Sequence, residues 1–117
     1  MKKVLLAFLA CALIVPMAHA NPKTTTLRFA KGSYCTSFTG YYHNRIFKIY
    51  LLPKQTLEIR TNDVVEDVLV KDPTGRMLTD VGEENYNYRI RQKGNHTIKI
   101  NRASINGGSD TIEFCAY

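Results

Sequence analysis

The sequence predicts an all-β protein: an antiparallel β-sandwich of about eight strands closed by one disulfide. Three observations carry that expectation. Apolar residues recur with period two along eight short segments, the spacing that puts alternate side chains on one face of a strand. No segment after residue 20 keeps apolar residues at i, i+3, i+4 and i+7 behind a cap, as a surface helix would. Two cysteines, Cys35 and Cys115, remain in a chain that opens with an export leader.

The leader occupies residues 1–20. Lys2 and Lys3 form a positive start, Val4 to Val15 an apolar run of 12 residues ended by Pro16, and Ala18-His19-Ala20 a small-x-small cleavage signal. The run is short of the roughly 20 residues a spanning helix uses, which makes an uncleaved anchor the lesser alternative. Phe8-Leu9-Ala10 is a poor lipidation context for Cys11. Cleavage leaves one domain, residues 21–117, with 14 basic and 10 acidic side chains and a net charge of +4. A domain of that size excludes a multidomain enzyme, and its Ile, Val, Leu, Phe and Tyr content argues against disorder. A bacterial leader of this kind points to the periplasm, and no membrane contact is expected once it is removed. In that oxidising compartment the two remaining thiols pair by default, Cys35 with Cys115.

The strands follow in order. Residues 24–30 place Leu27 and Phe29 on one face, and residues 33–39 place Tyr34, Thr36 and Phe38 together with Cys35 opposite. Residues 44–52 are apolar on both faces, which suits a central strand. Residues 56–61 turn Leu57 and Ile59 inward and Glu58 and Arg60 outward. Residues 66–71 align Val68 with Val70, and residues 86–92 align Tyr86, Tyr88 and Ile90 against Arg89 and Arg91. Residues 96–102 align Ile98 with Ile100, and residues 110–116 align Ile112 with Phe114. Between them lie breakers: Lys31-Gly32, Pro53-Lys54-Gln55, the turn Asp72-Pro73-Thr74-Gly75, a short hairpin loop at Lys93-Gly94-Asn95, and a loop at Asn106-Gly107-Gly108. Cys35 and Cys115 are both out of phase with the apolar residues of their strands. If the second and last strands are neighbours, one bridge joins them on that less apolar face.

No catalytic constellation can be assembled, so the protein is not expected to be an enzyme. The two histidines left after the leader, His43 and His96, are far apart in sequence, and His96, starting a strand beside a turn, is expected to face water. Asp63, Glu66 and Asp67 offer hard oxygen donors of the kind calcium takes, but without EF-hand spacing the simpler reading is solvated loop carboxylates. No cofactor or metal is expected. The basic residues alternate with acids and form no Lys/Arg block, which argues against a nucleic-acid partner. A binding surface is the better prospect. Gly40-Tyr41-Tyr42-His43-Asn44-Arg45 puts Tyr41, Tyr42, His43 and Arg45 in one loop, and Tyr and Arg combine contact area with directional donors. Tyr86, Tyr88, Arg89 and Arg91 are a second such group, in which Tyr88 is expected to pack with Ile90 in the core and Arg89 and Arg91 to make the contact.

Several stretches resemble known small exported β-sandwiches: Leu27-Arg28-Phe29-Ala30-Lys31-Gly32, Gly40, Leu52-Pro53-Lys54-Gln55, Leu57-Glu58-Ile59, Val70-Lys71-Asp72-Pro73-Thr74-Gly75, and Gly94-Asn95-His96-Thr97-Ile98-Lys99-Ile100. Taken together they resemble the pre-peptidase C-terminal type of domain and, more closely, the periplasmic inhibitors of g-type lysozyme. That resemblance implies a non-enzymatic protein whose partner is a lysozyme or another peptidoglycan hydrolase, with surface loops blocking the muramidase cleft. The alternatives are an immunity protein against a cell-wall-degrading toxin and a peptidoglycan- or carbohydrate-binding module using tyrosines as stacking platforms.

Overall fold

Eight strands alternate between two sheets. In the computed structural model, which describes residues 23–63, 65–102 and 109–117, they are β1 (Lys23–Leu27), β2 (Cys35–Tyr41), β3 (Arg45–Leu51), β4 (Thr56–Thr61), β5 (Val65–Lys71), β6 (Tyr86–Arg89), β7 (Gly94–Arg102) and β8 (Ser109–Ala116). Sheet I has the order β1-β3-β7-β5 and sheet II the order β2-β8-β4-β6. Odd strands therefore make one sheet and even strands the other, and every connection crosses over an end of the sandwich. Among the described residues no strand pairs with its sequence neighbour. Lys93-Gly94-Asn95, expected as a hairpin loop, instead lies where the chain passes from β6 in sheet II to β7 in sheet I. Five pairings are antiparallel, and β1 lies parallel to β3 at the edge of sheet I. Residues 1–20 and Asn106-Gly107-Gly108 lie outside the described residues.

The core sits where the alternation puts it. Phe47, Ile49 and Leu51 of β3, Ile98 and Ile100 of β7, and Val68 and Val70 of β5 meet Leu57 and Ile59 of β4, Ile112 and Phe114 of β8, and Tyr88 of β6. Each fully buried aliphatic or aromatic side chain contributes roughly 1.5–3 kcal/mol by leaving water. Phe47 of sheet I stands between two rings of sheet II, with centroids 4.9 Å from Phe38 and 5.2 Å from Phe114. Tyr88 also spans the layers, its hydroxyl donating to the Val68 carbonyl at 3.2 Å. Burial, the leading cause, pushes its phenol pKa up, which keeps that donor protonated.

Two residues depart from their expected surroundings. Tyr34 precedes β2 behind a bend, so it leaves the Phe38 face and is 62% exposed on the side of the disulfide. His96 does not face water. It continues the inward row of Ile98 and Ile100 and is fully buried, with Nδ1 3.0 Å from the Gly94 carbonyl. β7 begins two residues earlier than the alternation suggests, which carries His96 under the sheet end rather than beyond it.

The link from β5 to β6 is fixed at its start by Asp72. Its Oδ1 accepts hydrogen bonds from Thr74 N–H at 2.9 Å, Thr74 Oγ1 at 2.6 Å and Arg76 N–H at 3.0 Å, and Gly75 N–H closes the turn onto the Asp72 carbonyl at 3.0 Å. The turn rests on β7 at Gly94, where φ is 137° and a Cβ would lie 2.9 Å from the Pro73 ring, so any other residue would push the turn away. The Thr74 hydroxyl, and after it the backbone donors opposed by partial desolvation, hold the Asp72 carboxyl below the ordinary carboxylate range. A carboxyl whose pKa is depressed by folding adds stability above its unfolded pKa, about 3.9, and that addition is lost as pH falls through the lower folded value. Asp72→Asn is therefore expected to be less stable than the parent at neutral pH, with the difference shrinking in urea titrations between about pH 5 and pH 2. A constant difference across that window would show that the carboxylate charge is not what the turn uses.

Candidate functional site

The two clusters singled out in the sequence lie at opposite ends of the sandwich. The Tyr41–Arg45 corner sits where β2 ends and β3 begins, whereas Arg89 and Arg91 sit where β6 ends, alongside the start of β4. A seven-residue strand, about 20 Å long, separates the two ends. One contact face does not use both.

At the first end the corner is tightly built. Arg45 N–H closes it onto the Tyr42 carbonyl at 3.2 Å, and Asn44 takes φ 57°, a left-handed conformation that Asn tolerates. Tyr42, expected at the surface with its neighbours, is fully buried, and its hydroxyl donates to Asp63 Oδ2 at 3.0 Å. Arg45 is equally engaged. Its Nε donates to the Tyr41 carbonyl at 3.1 Å, Nη1 donates to Thr25 Oγ1 at 2.6 Å, and Cζ lies 4.8 Å from the centre of the Phe38 ring. That leaves Tyr41, 48% exposed, packed edge-on to the half-buried His43 at 6.1 Å. Arg45 therefore ties β1 to the corner. Arg45→Ala is expected to cost about 1–2 kcal/mol in urea unfolding. Arg45→Lys is expected to cost nearly as much, because one ammonium cannot reproduce two directed bonds and a stacked plane. Unfolding midpoints equal to that of the parent would refute the tie.

At the second end lies a groove. The link between β5 and β6, residues 72–85, is by far the longest in the domain. Its first part returns along sheet I, with Leu78 N–H bonded to the Val70 carbonyl at 2.8 Å. Arg76, Met77 and Val81 of this link face Arg89, Arg91 and Gln92 across a depression of about 200 Å³. Met77 is 45% and Val81 55% exposed. Arg89 and Arg91 also line a second, shallower depression with Pro53, Lys54 and Gln55. Ile90 fixes the spacing of these two arginines: it is buried, its N–H donates to the Gln55 carbonyl at 2.9 Å, and its carbonyl accepts from Lys54 N–H at 2.9 Å. Both guanidiniums then stand outward on either side of it.

The groove is electropositive. Arg76, Arg89 and Arg91 make no ion pair among the described residues, whose salt bridges all involve Arg60. Asp72 is the one acid among the residues lining the groove and is held in its turn; of the other acids on the link, Asp80 Oδ1 accepts from the N–H groups of Gly82 and Asn87 at 2.9 Å each, and Glu83 and Glu84 are exposed outside the lining. Three exposed planar forks beside two exposed apolar side chains can grip carboxylates bidentately while Met77 and Val81 exclude water. Sequence reading named Arg89 and Arg91 but not Arg76, Met77 or Val81. A signal for them existed in the length of the segment, since a long link in a compact domain is usually a functional one.

The remaining candidates resolve differently. Asp67 accepts from Asn101 Nδ2 at 2.7 Å and Asp63 from Tyr42. Among the described residues the one group of three possible metal ligands is Cys35, Glu113 and Cys115, not the Asp63, Glu66 and Asp67 set. The two cysteines of that group are bonded to each other. They are direct cross-strand partners of β2 and β8, with Cα atoms 4.1 Å apart.

No protein-family model matches the sequence, and no curated protein matches it. Solved structures do. The chain is similar in fold to Aeromonas hydrophila PliG, a periplasmic lysozyme inhibitor of g-type lysozyme, with a TM-score of 0.54 and 14% identity over 81% of this chain and 96% of that one. It is similar also to a mutant of PliG-Ec, a periplasmic lysozyme inhibitor of g-type lysozyme from Escherichia coli, with a TM-score of 0.54 and 11% identity over 81% of this chain and 98% of that one. This all-β, two-sheet chain thus shares its fold with the two PliG structures.

Proposed function

We propose that this protein is an exported lysozyme inhibitor, directed at g-type lysozyme, that closes the enzyme's cleft with the arginine groove between the β5–β6 link and the end of β6. The observation that carries the reading is the cluster Arg76, Arg89 and Arg91, free of ion pairs among the described residues, on a fold shared with two such inhibitors. A muramidase works with carboxyl groups in a cleft, and guanidinium forks are their directional complement. Desolvated between the two proteins, such pairs slow dissociation more than they speed encounter. The apolar side chains Met77 and Val81 supply contact area at the groove's rim. The protein breaks no bond itself. It reaches the periplasm through a leader cleaved after Ala20.

The reading is tested by mixing the purified exported protein with g-, c- and i-type lysozymes. The g-type mixture should elute as a complex and lose its lytic activity. If every class stays fully active at micromolar excess and no complex elutes, the reading fails.

A further inference from the structure

Beside the disulfide, on the outer face of sheet II, lies a shelf that the arginine groove does not include. Tyr34 and Tyr117 are 62% and 56% exposed, and their rings meet edge to face with centroids 6.0 Å apart. With Arg60 and the two cysteines they wall an open depression of about 490 Å³, a size in the range of small-ligand sites, roughly 300–1,000 Å³. The shelf is rigidly supported. The Tyr117 hydroxyl donates to Glu58 Oε2 at 2.8 Å, and Glu58 is only 8% exposed. Glu58 pairs in turn with Arg60 Nε, and Arg60 Nη1 lies 3.2 Å from Glu113 Oε1. On the Tyr34 side, Ala116 N–H donates to the Tyr34 carbonyl at 2.8 Å, and the Cys35–Cys115 bond ties the two strands together.

The chemistry differs from that of the groove. One cation, Arg60, stands between two carboxylates, Glu58 and Glu113, so the shelf carries no excess positive charge and does not suit a carboxylate or phosphate. It offers something else. Tyrosine faces are negative at the ring and attract the polarised C–H groups of a sugar's apolar side. Arg60 Nη2 and Glu113 Oε2, which make no hydrogen bond among the described residues, set a donor beside an acceptor, the complement of adjacent hydroxyls. We propose that this shelf binds a neutral saccharide, with a pyranose ring against Tyr34 and Tyr117 and its hydroxyls shared between Arg60 and Glu113. The site goes beyond lysozyme inhibition and does not depend on it. In a wall-facing compartment it would rest the protein on glycan strands.

The test is a titration of the exported protein with the β-1,4-linked tetramer of N-acetylglucosamine, followed by amide NMR. Saturable shifts are expected at residues 33–36, 58–60 and 113–117, with a Kd of about 1 mM. Tyr34→Ala, at an exposed position, should keep the fold and weaken binding at least about tenfold, and Tyr34→Phe should bind like the parent. Lysozyme inhibition should be unchanged in both, which separates this site from the groove. Absence of shifts at about 10 mM sugar, shifts elsewhere, or unaltered binding by Tyr34→Ala would overturn the proposal. So would a Tyr34→Ala variant that loses lysozyme inhibition while the tetramer fails to bind the parent, since the shelf would then be a protein contact.

Discussion

Replacing Cys35 and Cys115 together by alanine is expected to lower the stability of the domain by about 4 kcal/mol, a large share of the roughly 5–15 kcal/mol that holds a domain of this size folded. The bridge closes a sequence separation of 80 residues, and the chain-entropy model assigns such a closure on the order of 4 kcal/mol. The topology makes that restriction valuable. Among the described residues no strand pairs with its neighbour in sequence, so every ladder described in the two sheets closes a long loop before it gains a hydrogen bond. The bridge also holds an edge: β2 has a single neighbour in sheet II, β8, and Cys35 faces Cys115 directly across that pair. Urea unfolding should show the midpoint falling by roughly 2 M and the slope rising, because the unfolded chain is no longer held compact by the bridge, and refolding should slow, because β2 and β8 must then find each other unaided. The double variant is the right comparison, since either single change leaves a reactive thiol. An unaltered midpoint would mean that the β2–β8 ladder and the core suffice without the bridge.

That bridge was legible in the sequence, and so was much of the fold, for one physical reason: side-chain alternation and cysteine phase are local properties of a strand. Leu57 and Ile59, Ile98 and Ile100, and Ile112 and Phe114 are buried as their spacing predicts. Pairing partners are not local. Nothing in Lys93-Gly94-Asn95 distinguishes a hairpin from a crossing between sheets, because both need the same tight, glycine-tolerant turn. Nor does residue type separate a tyrosine that binds from one that packs. Tyr42 has the same ring and hydroxyl as Tyr41, but Asp63 receives its hydroxyl inside while Tyr41 remains outside. His96 reads as facing water because it starts a strand beside a turn, and the early start of β7 puts it on the inward row instead. The groove was half legible. Arg89 and Arg91 stood out because they oppose Tyr88 and Ile90 in a strand pattern, whereas Arg76, Met77 and Val81 belong to a segment with no periodicity, and only its fold against sheet I brings them opposite.

The groove and the corner make opposite forecasts for the same assay, which lets mutagenesis decide between them. Replacing Arg89 and Arg91 together by glutamine is expected to weaken inhibition of g-type lysozyme by about 100-fold or more, since losing one partner of a desolvated charge pair costs about 2–5 kcal/mol. Both side chains are exposed and unpaired among the described residues, so the unfolding midpoint should stay with the parent. Each single change should cost less than the pair, and inhibition by the parent should weaken only modestly as salt rises, because pairs desolvated in the interface are screened much less than exposed ones. The corner behaves in reverse. Arg45 is held by Tyr41, Thr25 and Phe38, so changing it should lower stability and leave inhibition by the surviving folded protein intact. Tyr41→Ala and His43→Ala should leave inhibition intact and cost only about 0.5–1.5 kcal/mol of stability through their lost edge-on contact. Should the double arginine variant inhibit as the parent does while Tyr41→Ala or His43→Ala abolishes inhibition, the enzyme's cleft is met by the opposite end of the sandwich, and the long β5–β6 link serves something other than the lysozyme.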